Sequence, residues 1–432
     1  MDFAPSPRAA DLVQRVRSFV ETEVEPAERH VLRDVADRRA RGDDPWPPHV
    51  LIEELKAKAR GEGLWNLFLP AGDGDGYAAR FGTDGGTGLT TTDYAAVAEE
   101  TGRSALAPLV LNCNAPDTGN MEVLLRYGSN EQQERWLEPL LDGRVRSTFL
   151  MTEPGVASSD ATTMEARATL EGDDVVLDGR KWWSTGVGHP DCAVGIFMGL
   201  TDPTAHRHRQ HSMVVVPISA PGVRVERMLP ALGHYDEPLG HGEVTLTNVR
   251  LPVSSILAGP GRAFEIAQGR LGPGRVHHCM RLIGLAEKAL ELACRRSTQR
   301  VAFGKPLAAL GGNRERLARA RIDINAARLL VLHAAWKLDT AGAEGARSEV
   351  SEIKAAVPRM ACDVIDLAIQ LHGGGGLSED FPLAAAYAGA RSLRLADGPD
   401  EVHLGVVARH LLGPYAAAAA GAATEDPTQD AG

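Results

Sequence analysis

The apolar positions change their period twice along the chain. From residue 8 to about 147 they recur at helical spacing. In DLVQRVRSFVETEV, Leu12, Val13, Val16, Phe19 and Val20 fall on one helix face. Pro26 is expected to close that segment. PPHVLIEELKAKARGEGL opens on proline and ends on glycine, the usual asymmetry of a helix. A glycine-rich loop (71–88) follows, then the helical segments TTDYAAVAEETGR and SNEQQERWLEPLLDGR. The second has Ser129 with Gln132 three positions on, a capping-box pattern.

From about 148 to 258 the pattern shortens to that of strands. DDVVLDGRKWWSTG reads as a hairpin about Asp178-Gly179. DCAVGIFMGL, HSMVVVPIS, VRVERML and GEVTLTNVRLP follow as strands, and the polar TDPTAHRHRQH between two of them reads as a solvated loop rather than a metal set. From about 261 to 412 long amphipathic helices return, with Pro358 as a kink site. Long apolar-striped helices joined by short loops predict a bundle. The expected layout is mainly α with a central β domain: helical domain 1–147, β domain 148–260, helical bundle 261–415, and a disordered tail 416–432.

Composition changes this picture little. Of 432 residues, 44% are hydrophobic and 24% charged, as in soluble globular proteins, and the length suits two or three domains. The formal net charge of −11 argues against nucleic acid as the default partner, although local arginines could still hold an anionic small ligand. Five scattered cysteines, with no CxxC pair, read as buried thiols in a reducing compartment. MDFAPSPRAADLVQ has no secretory apolar region, and no run approaches the ~20 apolar residues of a spanning helix, so a cytoplasmic location is expected.

Six stretches carry candidate chemistry. FLMTEPGVASSD is a strand entering a Gly/Ser loop, whose hydroxyls and N–H groups serve either local backbone or a polar ligand. KWWSTG places adjacent tryptophans on opposite strand faces. In RSTQRVAFGKPL an arginine at a helix end either balances the dipole or forks onto a phosphate. QLHGGGGL reads as a helix C-cap or as backbone open to a phosphate. In GRLGPGRVHHCMR, Gly272-Pro273-Gly274 is expected to break the helix so that Arg275 begins the next. RLADGPDEVH sets Asp397 at a break between helices. Asp400 and Glu401 then fall in the first turn of the new helix, where negative charge suits the dipole.

In this order and on this layout, the stretches resemble the acyl-CoA dehydrogenase superfamily over about residues 10 to 413, and within it the branch of mammalian family members ten and eleven. The resemblance implies an N-terminal helical domain, a small β-barrel and a C-terminal four-helix bundle. It implies FAD as cofactor, with Phe149, Met151 and Thr152 lining the flavin ring, Ser158 or Ser159 contacting flavin phosphate or substrate, Trp183 packing on the isoalloxazine and Thr185 near flavin N5. Trp182 takes the packing role. Arg300 and Phe303 match positions at the pyrophosphate and adenine end. Gln370, Gly373 and Gly374 match positions that reach the FAD of a neighbouring subunit, which implies a homodimer or homotetramer.

Arg275 matches a position near the substrate thioester and the base, with a salt bridge to a bundle carboxylate as its alternative. Gly398 falls with the substrate-binding residues. Some relatives carry a catalytic glutamate where this chain has Gly274. Most members carry a glutamate where it has Asp397, so Asp397 is the matched base, expected in an apolar slot that desolvates it. The implied reaction is α,β-dehydrogenation of an acyl-CoA, as in fatty-acid β-oxidation, by α-proton abstraction and β-hydride transfer to flavin N5. An electron-transferring flavoprotein would then be the acceptor. A flavin oxidase acting on a nitroalkane or acyl-CoA, and a scaffold that has lost flavin, are the competing readings. No metal, nucleic acid or membrane span is expected.

Overall fold

The computed structural model of the protein describes residues 3–72, 74–82 and 88–424, apart from the side chains of residues 75, 270–273 and 417–424. Helix α1 (Pro7–Phe19) is capped by Ser6, which accepts from the N–H of Ala9. It passes through a π-helical turn, Val20–Val24, into α2 (Glu25–Arg41). Pro26 therefore does not close the segment. It lies in the first turn of α2, where its missing N–H is tolerated, and the wider turn carries the bond from Glu25 N–H to Val20 O. Then come α3 (Val50–Gly61), the short α4 (Asp75–Arg80) inside the glycine-rich segment, α5 (Thr91–Thr101) and α6 (Asp117–Tyr127). The capping box at Ser129 and Gln132 is present in both directions. Residues 73 and 83–87 of the expected loop lie outside those described.

The β domain is a seven-stranded mixed sheet of β1 (Arg146–Leu150), β2 (Arg167–Glu171), β3 (Asp174–Thr185), β4 (Cys192–Leu200), β5 (His211–Pro217), β6 (Val223–Met228) and β7 (His241–Pro252). β1 runs parallel to β4, while β3 pairs antiparallel with both β2 and β7. The expected hairpin about Asp178-Gly179 is corrected: β3 runs straight through that pair, and the chain turns at Gly172 (φ 63). Gly179 sits instead at an irregularity in the β3–β7 register, where a Cβ would come 2.4 Å from the Cβ of Ala166. Close approach of another segment, rather than turn chemistry, accounts for the glycine.

Strand alternation divides the sheet between two cores. Val194, Ile196 and Met198 of β4 join the large core that runs through both helical regions. Phe197 joins a smaller core with Leu150, Leu177, Val216 and Leu246. At the junction with the N-terminal helices, Arg146 and Asp117 form a buried pair at 3.2 Å. Asp117 also accepts from the N–H and hydroxyl of Ser147, and Arg146 donates to Asn112.

The bundle comprises α7 (Ala263–Gln299), α8 (Asn313–Gly345), α9 (Arg347–His372), α10 (Leu383–Ser392) and α11 (Asp400–Thr424). The expected break at Gly272-Pro273-Gly274 is absent, and α7 is one helix of 37 residues. Packing on both sides holds it: Ala263, Ile266 and Ala267 before the triplet and Val276, Cys279 and Met280 after it are buried in the common core. Tertiary burial outweighs the local cost of Gly and Pro. Pro358 likewise lies buried within α9 without ending it. The last helix reaches Thr424, into the stretch 416–432 expected to lack structure, and residues 425–432 lie outside those described. The expectation of buried thiols is met at Cys113, Cys192, Cys279 and Cys362, whereas Cys294 is exposed.

Candidate active site

The break between α10 and α11 is built to hold a carboxylate. Asp397 and Gly398 both take positive φ, 55 and 100 respectively. Aspartate tolerates this region better than most residues, and glycine accepts it freely. A side chain at Gly398 would also fail sterically, since a Cβ there would lie 2.9 Å from His403 Nε2. Carbonyls at a helix end need partners from outside the helix, and here basic side chains supply them. Arg275 donates to Asp397 O from Nε at 3.3 Å and Nη2 at 3.1 Å. His403 Nε2 lies 3.1 Å from the same oxygen and donates to it. Lys354 donates to Gly398 O at 3.3 Å and also to Leu393 O. Arg394 and Asp400 then tie the two sides of the break, with Nε 2.8 Å from Oδ2. Asp400 thus has a bracing role, while Glu401 is exposed.

The surroundings of Asp397 are not the apolar slot expected from sequence. Basic groups from α7, α9 and α11 converge on it. Burial pushes the guanidinium of Arg275 below its ordinary range, against the pull of Asp397, and burial likewise lowers the Lys354 ammonium. His403 is pushed down to about 4, mainly by burial, so its imidazole is neutral near pH 7. The carboxylate Oδ2 lies 3.3 Å from His278 Nε2, and His278 Nδ1 lies 3.1 Å from Arg281 Nη2. Arg275, expected near the substrate thioester and the base, donates to the main-chain carbonyl of Asp397, the position matched to the base.

The second group of site residues lies on the β domain. Phe149 is half-buried on β1, which leads to half-buried Met151 and exposed Thr152. The N–H of Trp182 donates to Thr152 O at 2.9 Å, which sets the end of β1 against β3. Trp183 sits at a break in the β3–β7 register with φ 52, and is 41% exposed. Its ring tilts over His241 at 5.7 Å, and Thr185 Oγ1 lies 2.9 Å from His241 Nδ1. Ser158 acts locally, accepting from the N–H of Glu153 at 2.9 Å, while Ser159 is exposed. Buried Glu153 holds this loop by accepting from Lys181 at 2.7 Å and from the N–H groups of Glu165 and Ala166.

The remaining predicted residues are elsewhere. Arg300 follows Arg275 by about 25 positions, roughly 37 Å of helix rise along α7. Phe303 follows on a two-stranded hairpin (Val301–Ala302 with Lys305–Pro306) and is 96% exposed. Gln370, Gly373 and Gly374 are exposed at the end of α9, roughly 27 Å of helix rise beyond Lys354. A Cβ at Gly373 or Gly374 would meet nothing within 4 Å. A single chain therefore splits the predicted residues between opposite reaches of its bundle.

Sequence reasoning missed His278, Arg281, Lys354 and His403. For the first two a signal existed: Arg275, His278 and Arg281 recur every three positions, which places them along one helix face. Lys354 and His403 come from distant helices and carry no local mark. Among the described residues, no His/Cys/Asp/Glu group could hold a metal ion, and no helix is long and apolar enough to cross a membrane.

Three family domains match the chain in succession: the acyl-CoA dehydrogenase N-terminal domain over residues 6–144, the middle domain over 148–249 and the C-terminal domain over 261–412. Acyl-CoA dehydrogenase family member 11 of Mus musculus is 49% identical over 94% of the chain and 51% of its own length. Family member 10 of the same organism is 51% identical over 94% of the chain and 37% of its own length. The chain thus spans about half the length, or less, of these curated relatives. The Mycobacterium tuberculosis protein named "Probable acyl-CoA dehydrogenase FadE2" is 50% identical over 95% of the chain and 96% of its own. Among solved structures, an acyl-CoA dehydrogenase candidate from Mycobacterium abscessus is 64% identical with TM-score 0.90, covering 95% of this chain and 100% of that one. Butyryl-CoA dehydrogenase from Megasphaera elsdenii is 26% identical with TM-score 0.77, at the same coverage. With three domains in order and relatives at about half identity along nearly its full length, the chain belongs to the acyl-CoA dehydrogenase family.

Proposed function

We propose that the protein is an FAD-dependent acyl-CoA dehydrogenase that converts an acyl-CoA to its trans-2-enoyl-CoA, with Asp397 as the base. The carrying observation is the mount of Asp397: a carboxylate on a strained backbone, its own carbonyl gripped by Arg275 and His403. A Cα–H beside a thioester is a weak acid, and a positioned carboxylate contributes about 10²–10⁴-fold to its removal. In this reading the Cα–H bond breaks, Asp397 takes the proton, and the electron pair passes toward the thioester carbonyl. Arg275 and Lys354 lower the cost of negative charge developing nearby.

The β-domain residues fit a flavin. An exposed tryptophan on a strained backbone stands in the same strand as a hydroxyl, Thr185, with the exposed Thr152 on the neighbouring segment. Phe149, Met151, Thr152, Trp183 and Thr185 would hold its ring. When bound, FAD supplies the two-electron acceptor for the Cβ hydrogen. Arg300 and Phe303 would contact the pyrophosphate and adenine end of FAD, and Gln370, Gly373 and Gly374 would reach the cofactor of a second copy of the chain, by the family relationship. An electron-transferring flavoprotein is the proposed acceptor, by the family relationship.

The test is anaerobic titration of the yellow, FAD-loaded protein with acyl-CoAs of increasing chain length and with nitroethane. Bleaching by one class of acyl-CoA, lost in Asp397→Asn, is expected. Bleaching by nitroethane alone would move the protein to the oxidase reading, and failure to take up FAD would refute both.

A further inference from the structure

The base of this protein is an aspartate, and a short side chain reaches less far and has fewer rotamers with which to find its target. The residues around it answer that problem in a defined way. His278 lies one turn after Arg275 on the same face of α7, partly buried at 18% side-chain exposure, and Asp397 is comparably shielded at 21%. Its two ring nitrogens meet different partners. Nδ1 is 3.1 Å from Nη2 of Arg281, and a guanidinium only donates hydrogen bonds. Nδ1 must therefore accept, and the ring proton of neutral His278 must sit on Nε2. Nε2 is 3.3 Å from Asp397 Oδ2, so it points an N–H at the carboxylate. Arg281 is itself anchored to the N-terminal domain, where Nη1 donates to Cys113 O at 3.3 Å.

We infer that His278 is a positioning residue for the base: Arg281 selects its tautomer, and its Nε2–H holds Oδ2 of Asp397. The inference rests on the assignment of Asp397 as base. It assigns no proton transfer to the imidazole. A second proton on His278 would set an N–H against the N–H of Arg281, and in this reading the proton removed from Cα resides on Asp397. Arg275 fixes the main chain of the base residue, and His278 fixes its side chain.

Exchange of α-protons with solvent deuterium reads this directly. A suitable probe is 3,3-dimethylbutanoyl-CoA, which has α-hydrogens but none on Cβ, so nothing passes to the flavin. With FAD-loaded protein in D2O, exchange followed by proton NMR measures only removal and return of the α-proton. His278→Leu, similar in volume but unable to donate, is expected to slow exchange about 10²-fold, the scale of a reacting group held out of place by an ångström, with little change in probe affinity. His278→Gln, which can accept from Arg281 and donate to Asp397, is expected to recover most of that rate.

Wild-type exchange in His278→Leu, with exchange abolished in Asp397→Asn, would overturn the role of His278. Wild-type exchange in Asp397→Asn would instead overturn the base assignment. Should His278→Leu not fold, the histidine nitrogen shifts of the wild-type holoenzyme decide. Protonation on Nε2 supports the inference, and protonation on Nδ1 or on both nitrogens refutes it.

Discussion

The two reaches of the C-terminal bundle are finished to different degrees. Around Asp397 the main-chain carbonyls at the helix break find side-chain donors within the chain: Lys354 on Leu393 and Gly398, Arg275 and His403 on Asp397. At the other reach, Phe303 is 96% exposed on its hairpin, Leu377 is 73% exposed, and Gly373 and Gly374 present open backbone. The first is a mount complete in one chain. The second is a set of exposed groups, which the proposed function assigns to contacts outside the chain. A residue that works within its own fold is held by many donors, whereas one that works on a neighbour must be left open.

The largest effect that would test this contrast is on cofactor binding. Arg300→Ala is expected to weaken FAD binding about 10–100-fold, the worth of a charge-assisted hydrogen bond to phosphate, as read by quenching of flavin fluorescence. Mixed oligomers of Arg300→Ala and Asp397→Asn should regain activity, because one chain of each pair supplies an intact Asp397 and the other an intact Arg300. No recovery on mixing would place both groups in one chain's site and dissolve the comparison.

Next, Lys354→Met should cost about 1–3 kcal/mol in urea unfolding, since it leaves two main-chain carbonyls without their donor. An unchanged midpoint would mean that water replaces the ammonium and that the mount is less closed than its hydrogen bonds imply.

A graded effect follows from the buried imidazoles. His403 is pushed down to about 4 and His189 to about 3, both mainly by burial, and burial also holds His277 well below the ordinary 6.5. The folded state binds these protons later than the unfolded state, so stability is full above about pH 6.5 and declines as pH falls toward 4. Thermal unfolding across that range should show a falling midpoint, and a flat profile would mean that the imidazoles are reached by solvent. Smallest of all, Phe303→Ala should change the stability of the isolated chain by less than about 0.5 kcal/mol, as for other exposed positions.

Much of the candidate site was marked in the sequence by its resemblance to the family. Asp397 stands in a Gly-Pro break between two helical patterns and matches the family's base position. Trp183, Thr185 and Thr152 lie in short stretches that match its flavin motifs. Local rules misled where tertiary packing was stronger. Asp178-Gly179 carries the best turn signal in the β domain but lies mid-strand, where Ala166 closely approaches Gly179. The Gly-Pro-Gly triplet in α7 stays helical because both flanks are buried.

The sequence alone determined the three-part layout and the family, and it marked Asp397 as the candidate base, since these depend on periodicity and on short ordered motifs. The tertiary structure decided what surrounds that aspartate. Arg275 and His278 lie more than a hundred positions before Asp397, and Lys354 approaches it from a third helix. Their convergence depends on how three long helices pack, and a hydrogen bond between distant residues leaves no periodic trace in the sequence. For the same reason an apolar slot was expected where the fold places several donors, and the approach of His278 to both Asp397 and Arg281 became visible only in the fold.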